Sequence, residues 1–297
     1  MTSRIAKTPS TGRVKRNFSA KSQFLRLLSL LAIAYGLWLL TLLLLQERLI
    51  FPRHMASWGV TSTVPRGAEV LTLTAEDGSK VPAWLFRPEL VGDDGPVPVL
   101  VWFHGNAEVI DQVAAYPEIE LFRELGMAVL IPEFRGYGRA EGSPTQVAIV
   151  SDSLRFIEML GEQKGLDTTR VVYLGRSLGG AVAVAVAGRR VPKAMILQST
   201  FTSIASFAAR HLAPEALVRH PFRTDVILPT LDVPMLIFHG RTDQVVPVEH
   251  GRALAKLAKR GRYIEDDSDH FSPPQDWVGY TKTLRDFLLA EGVLSGR

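Results

Sequence analysis

The chain has 297 residues, enough for one α/β domain with a full core, and a formal net charge of +4. It contains no cysteine, which excludes disulfides and thiolate metal sites. The first 26 residues hold seven basic side chains and no acid, leaving 27 basic against 30 acidic groups downstream, a net −3. The high isoelectric point therefore belongs to the tail, and nucleic-acid binding by the folded part is not expected.

In chain order, residues 1–26 are polar and read as a disordered basic tail carrying Arg4, Lys7, Arg13, Lys15, Arg16, Lys21 and Arg26. Residues 27–45 follow, nineteen without a charge, which as a helix span about 28 Å, close to a bilayer's hydrocarbon thickness of roughly 30 Å. The stretch is apolar on every face, unlike a buried core helix. It is also longer than a signal-peptide core, and the following Q-E-R-L-I-F-P-R offers no A-x-A-like cleavage site. An uncleaved signal anchor is the expectation. With seven basic residues before it and only Arg48 and Arg53 just after, the amino terminus is expected in the cytoplasm and the rest of the chain on the opposite, periplasmic or extracellular, side.

Residues 46–68, interrupted by Pro52, Pro65 and Gly67, read as a connector, and 69–297 as the folded domain. Strands are predicted at 69–75 and 81–87 around the turn signal Glu76-Asp77-Gly78, then at 97–103, 128–134, 171–174, 194–198, 235–238 and 262–265. Helices are predicted at 111–125, 145–162, 178–187, 249–259 and 276–289. Two early antiparallel strands followed by repeated β–α units imply a mostly parallel sheet covered by helices. Residues 200–230, with Phe201, Ile204, Phe207, Leu212, Leu217 and Val218 between prolines, read as an inserted cap.

The most informative stretch is 171–188, V-V-Y-L-G-R-S-L-G-G-A-V-A-V-A-V-A-G. A short apolar run ends in a Gly-x-Ser-x-Gly turn and passes into an alanine-rich segment of helical length, the local structure that exposes a serine above a sheet. A side chain at Gly175 or Gly179 would strike the neighbouring backbone as the strand turns into the helix. Ligands of such sheets sit beyond the carboxyl ends of the strands, where Ser177, Asp243 and His270 all fall, in that chain order. A serine hydroxyl needs an imidazole to take its proton, and the imidazole needs an acid to fix its tautomer. Asp243 is the expected acid, with Asp266, Asp267 and Asp269 as rivals that share a loop with the histidine. His270 is the one histidine after the last strand.

For the remaining histidines, His239 is expected to pack at a strand end, His250 to open a surface helix, and His211 and His220 to lie at the cap surface; His54 has no assigned role. Acyl transfer also needs donors for the developing oxyanion. The Leu178 amide supplies one. The second is expected from V-W-F-H-G-N-A-E, where Gly105 would permit the turn that directs the Asn106 amide inward and His104 would brace the loop. Tyr137 and Arg139 are expected at the pocket entrance and Ser143 at a helix cap. Arg176 has no single assignment; a salt bridge behind the turn is one role for it.

W-F-H-G-N-A-E, P-E-F-R-G-Y-G-R-A-E-G-S-P, G-R-S-L-G-G, H-G-R-T-D-Q-V-V-P and the late D-H together resemble the alpha/beta-hydrolase superfamily, nearest its membrane-anchored serine hydrolases of the abhydrolase and acyl-protein thioesterase groups. The resemblance runs from about Glu69 to the end. It implies an eight-stranded, mostly parallel sheet flanked by helices with a short cap, a catalytic Ser–Asp–His set, no cofactor and no metal. Members cleave esters, thioesters and amides, so the substrate class stays open. Gln198-Ser199-Thr200-Phe201 departs from the acid and proline that relatives often carry there, which bears on the shape of the cap. The expected activity is hydrolysis of a carboxylic ester or thioester through an acyl-enzyme, on a small-molecule or lipid-like acyl substrate. A peptidase or amidase of the same fold and a non-catalytic hydrolase-like binding module are the alternatives. A dinucleotide-binding turn is disfavoured because the glycines do not fit G-x-G-x-x-G.

Overall fold

The computed structural model describes residues 20–56, 60, 63–88, 95–272, 274 and 276–295, and the chain divides into two units, Met1–Leu44 and Leu45–Arg297. Most of the expected basic tail, residues 1–19, lies outside the described residues. Helix α1 covers Ala20–Ile50, so it starts seven residues before the predicted apolar stretch and ends five after it. The extension past residue 45 runs through Gln46-Glu47-Arg48, all good helix formers. It stops two residues short of Pro52, since the residue before a proline is pushed out of the α region. The most apolar eighteen residues of α1 have a mean hydropathy of 2.3, and none of them is buried. Ser29 and Thr41 return their hydroxyls to the carbonyls of Leu25 and Leu37, which keeps those polar groups inside the helix.

The second unit takes in the last turn of α1, then a short α2 (Arg53–Ala56) and an eight-stranded sheet. Its strands are β1 (Ala68–Thr74), β2 (Lys80–Phe86), β3 (Val97–Phe103), β4 (Ala128–Pro132), β5 (Leu166–Arg176), β6 (Ala194–Gln198), β7 (Pro234–Gly240) and β8 (Arg260–Asp266). The spatial order is β1-β2-β4-β3-β5-β6-β7-β8. β2 pairs antiparallel with β1 and β4, and every other pairing is parallel. The predicted hairpin forms: Gly78 takes φ +85° at the turn, and the Asp77 carboxylate accepts the Ser79 amide.

The central strands are buried on both faces, which explains their continuous apolar runs. Alternate residues of β3 serve two cores. Val99, Val101 and Phe103 face one cluster, and Leu100 and Trp102 face the other. The first cluster includes α5 (Gln146–Met159) and α6 (Leu178–Ala187), and the second includes α4 (Pro117–Glu124) and α9 (Trp277–Ala290). All ten residues of α6 are buried. Its alanines, with Gly180 against Thr200, let the helix lie close to the sheet.

Three local expectations differ from the structure. The helix predicted over 111–125 is two short helices, α3 (Ile110–Val113) and α4, because Pro117 lacks an N–H and its ring would clash with the carbonyl four residues back. The cap of α5 is Thr145, whose hydroxyl accepts the Ala148 amide, and Ser143 is exposed. Segment 200–230 is a series of short 3₁₀ helices, the longest Ala205–His211, with a short α7 (Thr224–Ile227), and Phe201, Phe222 and Leu228 join the main core. Much of its apolar character is therefore spent on packing, although Leu212 is exposed. Helix α8 (Val248–Leu257) separates β7 from β8.

Candidate active site

β5 ends at Arg176 and α6 begins at Leu178, so Ser177 makes the entire turn. It does so at φ 53° and ψ −118°, a backbone conformation that costs a non-glycine residue on the order of 1–3 kcal/mol. The surroundings hold it there. The Ser177 amide donates to the Gln198 carbonyl at 2.9 Å, and its own carbonyl accepts the Thr200 hydroxyl at 2.7 Å. The flanking glycines are sterically required: a Cβ on Gly175 would overlap the Gly179 carbonyl, and one on Gly179 would overlap the carbonyls of Phe103 and His104 at the end of β3.

His270, on the loop after β8, reaches Ser177 with Nε2 at 3.1 Å from Oγ. Its Nδ1 lies 2.7 Å from Oδ2 of Asp243, on the loop after β7. All three side chains are buried. The other carboxylate oxygen, Oδ1, accepts the amides of Val245 and Val246 at 2.9 and 2.8 Å. Burial pushes the Asp243 carboxyl up, but the hydrogen bond from His270 and the two amides outweigh it and hold the group below the usual carboxylate range. An ionised Asp243 only accepts hydrogen bonds, so His270 Nδ1 carries the proton and Nε2 is left to accept from the serine. The rivals lie elsewhere: Asp266 accepts from Ser268, Asp267 pairs with Arg241, and Asp269 caps the turn at Phe271 and Ser272.

Leu178 is the first residue of α6, so its N–H has no intrahelical acceptor and sits at the positive end of the helix dipole. In the loop after β3, the left-handed residue is Ala107 (φ 60°), and Gly105, expected to make the sharp turn, does not take a positive φ. The Gly105 amide donates to Glu108 Oε2 at 2.6 Å. Both ends of the Asn106 side chain are engaged: Nδ2 donates to the Ile50 carbonyl at 2.7 Å, and Oδ1 accepts the Tyr137 hydroxyl at 2.8 Å. Any oxyanion role of this residue rests with its main-chain N–H. His104 is fully buried, stacked on Phe134 with its Nε2 3.0 Å from Glu133.

Arg176 does form a salt bridge, with Glu108. Its guanidinium donates to the His270 carbonyl at 2.7 Å, stands 3.7 Å from Glu108 and lies over the Tyr116 ring. One cation thus joins the histidine loop to the loop after β3, a role that position beside Ser177 hinted at but could not specify. Tyr137, expected at an entrance, is buried, and Arg139, partly exposed, pairs with Asp111 at 2.8 Å. His239 packs at the end of β7 as expected, donating to the Val246 carbonyl at 2.8 Å. His220 departs from its expected surface position, whereas His250 lies in the first turn of α8, as expected, and is half-buried. The His220 ring is buried on Phe51, and His250 meets Thr202 and the Phe207 ring. Burial holds His239, His220 and His250 below the usual imidazole range.

Among known proteins, residues 98–225 match the alpha/beta hydrolase fold family. An uncharacterized protein of Mycobacterium tuberculosis, Rv2307c, is 34% identical over 224 residues, covering 74% of this chain and 78% of that one. The alpha/beta hydrolase domain-containing protein WAV2 of Arabidopsis thaliana is 32% identical over 214 residues, 65% of this chain and 67% of its own. Among solved structures, Thermogutta terrifontis esterase 2 phosphoramylated by tabun aligns with a TM-score of 0.64 at 19% identity, covering 79% of this chain and 98% of that one. Sheet order, the strained turn after β5 and these likenesses lead to one assignment: the chain belongs to the alpha/beta-hydrolase superfamily.

Proposed function

We propose that this protein is a membrane-anchored serine hydrolase that cleaves carboxylic esters or thioesters. The observation that carries the reading is the unbroken chain from Ser177 Oγ through His270 to Asp243, at 3.1 and 2.7 Å, starting from a strained, sterically enforced turn. Ser177 Oγ attacks the acyl carbonyl while His270 Nε2 takes its proton, and Asp243 stabilises the resulting imidazolium. The Leu178 and Asn106 main-chain amides hold the oxyanion. Collapse of the tetrahedral intermediate expels the leaving group, which receives the proton from His270. Water, deprotonated by the same imidazole, then releases the acyl group and restores the serine.

The esterase fold among the structural neighbours supports ester chemistry. The apolar helix favours acyl chains on lipids or lipidated proteins, because tethering concentrates the enzyme where such substrates reside. Charge flanking that helix supports a cytoplasmic amino terminus with the catalytic unit across the membrane. The test is Ser177→Ala in the full-length protein. Turnover of p-nitrophenyl esters and labelling by a fluorophosphonate should both vanish, with the unfolding midpoint retained; persistent labelling defeats the assignment. Topology is checked by external protease on intact spheroplasts. Digestion of the catalytic unit is expected, and protection until lysis would reverse the orientation.

A further inference from the structure

The residues where α1 ends are built into the catalytic unit. Ile50 is the last residue of α1, and a terminal helical carbonyl has no intrahelical donor. Its partner is Asn106 Nδ2, at 2.7 Å. One turn earlier, Gln46 is buried, with Oε1 accepting the Arg219 amide at 2.9 Å and Nε2 donating to the Leu217 carbonyl at 3.4 Å. Phe51, 1% exposed, packs on His220 and Phe222, and Arg53 donates to the Gly142 carbonyl. The exit turn is therefore gripped on one side by the segment between β6 and β7 and holds the loop after β3 on the other.

We infer that this exit turn positions the oxyanion loop, with Gln46 as a positioning residue acting through the Ile50 carbonyl and the Asn106 side chain. The inference rests on the hydrolase reading above. Asn106 has two side-chain contacts, and the one to Ile50 is the link to the helix; the Tyr137 hydroxyl secures the other end. Because the next main-chain group along the loop, Ala107, sits at positive φ, loss of the brace lets the loop relax and carries the Asn106 amide off the oxyanion. A displacement of about 1 Å at such a donor reduces turnover by up to roughly a hundredfold without a matching change in substrate binding. The last turn of α1 thus contributes to chemistry even on soluble substrates.

The experiment uses the full-length protein in detergent micelles, with p-nitrophenyl butyrate as a soluble substrate. Asn106→Ala and Gln46→Ala are each expected to lower kcat about tenfold or more with KM within twofold. Affinity for an alkyl trifluoromethyl ketone, which forms an oxyanion on the serine, should fall by the same factor. The double variant should match Asn106→Ala alone, since both changes break one connection, and Gln46→Glu, which keeps the acceptor for the Arg219 amide, should recover most of kcat. The inference is overturned if both single variants stay within twofold of the parent in kcat, or if their losses multiply. If Gln46→Ala does not fold, Asn106→Ala decides: a kcat within twofold of the parent overturns the inference. Ser177→Ala in the same assay separates the two readings: its activity fails only with the hydrolase reading intact, whereas retained turnover sinks that reading itself.

Discussion

Replacing Asp243 by Asn tests the proposed chemistry at a single atom. The carboxylate has two distinct ends: Oδ1 accepts two main-chain amides at 2.9 and 2.8 Å, and Oδ2 accepts His270 Nδ1 at 2.7 Å. An asparagine has one oxygen to offer. Turned toward His270, it would place its NH2 against the amides of Val245 and Val246, leaving both donors unsatisfied, at about 1–3 kcal/mol for the buried Val246 amide. Turned the other way, it satisfies both amides and presents N–H to His270. The second arrangement wins, so His270 must accept at Nδ1 and carry its proton on Nε2, where it can no longer take one from Ser177. The expected loss is about 10⁴-fold in kcat, equivalent to about 5.4 kcal/mol of transition-state stabilisation, with KM little changed. Steady-state turnover of p-nitrophenyl butyrate and the rate of fluorophosphonate labelling both report it, alongside a thermal midpoint within a few degrees of the parent. A kcat within tenfold of the parent, in a variant that folds, would show that Asp243 does not set the tautomer.

Other outcomes follow from the same geometry. Gly179→Ala sets a Cβ onto the Phe103 and His104 carbonyls, which are backbone and cannot yield, so destabilisation of at least about 1–3 kcal/mol is expected in a denaturant titration. Gly161→Ala, where a Cβ meets nothing within 4 Å, is the control and should change stability by less than about 0.5 kcal/mol. Ser177→Gly and Ser177→Ala should both be inactive, but the glycine variant should be the more stable by about 1 kcal/mol because it relieves the strain at φ 53°. For pH, the folded-state values of His220, His239 and His250 lie below the unfolded imidazole value near 6.5, so the unfolded chain binds more protons once the pH drops under it. Stability should therefore be fully present above about pH 6.5 and decline below it, by up to about 1.4 kcal/mol per pH unit for each group. Denaturant midpoints between pH 7 and 5 measure the slope, and a flat profile would contradict the burial of these rings as neutral species.

Much of the architecture was legible because burial on both faces leaves an unmistakable pattern. β3 and α6 were expected at 97–103 and 178–187, the bounds observed, since an uninterrupted apolar run in the first and a glycine-to-alanine transition in the second leave little choice. Ser177, Asp243 and His270 were legible for a related reason: each follows a strand, and the parallel sheet delivers successive strand ends to one edge. Their order along the chain is the one described for such a strand–turn–helix elbow. Helices were less legible where one residue overrides periodicity, as Pro117 does by splitting 111–125.

What remained hidden were contacts between segments far apart in sequence. The union of Gln46 with Arg219, of Ile50 with Asn106, and of Arg176 with the His270 carbonyl depends on hydrogen bonds to main-chain groups, which carry no residue identity for a sequence to display. Burial of His220 was invisible likewise, because a histidine in a polar loop looks the same whether or not an aromatic ring covers it. Residue types and their spacing along the chain were enough to point to Ser177, Asp243 and His270 as candidate residues at the strand ends. The folded arrangement alone decided which loops brace them, because partners separated by dozens of residues meet only when the sheet has brought their strands together.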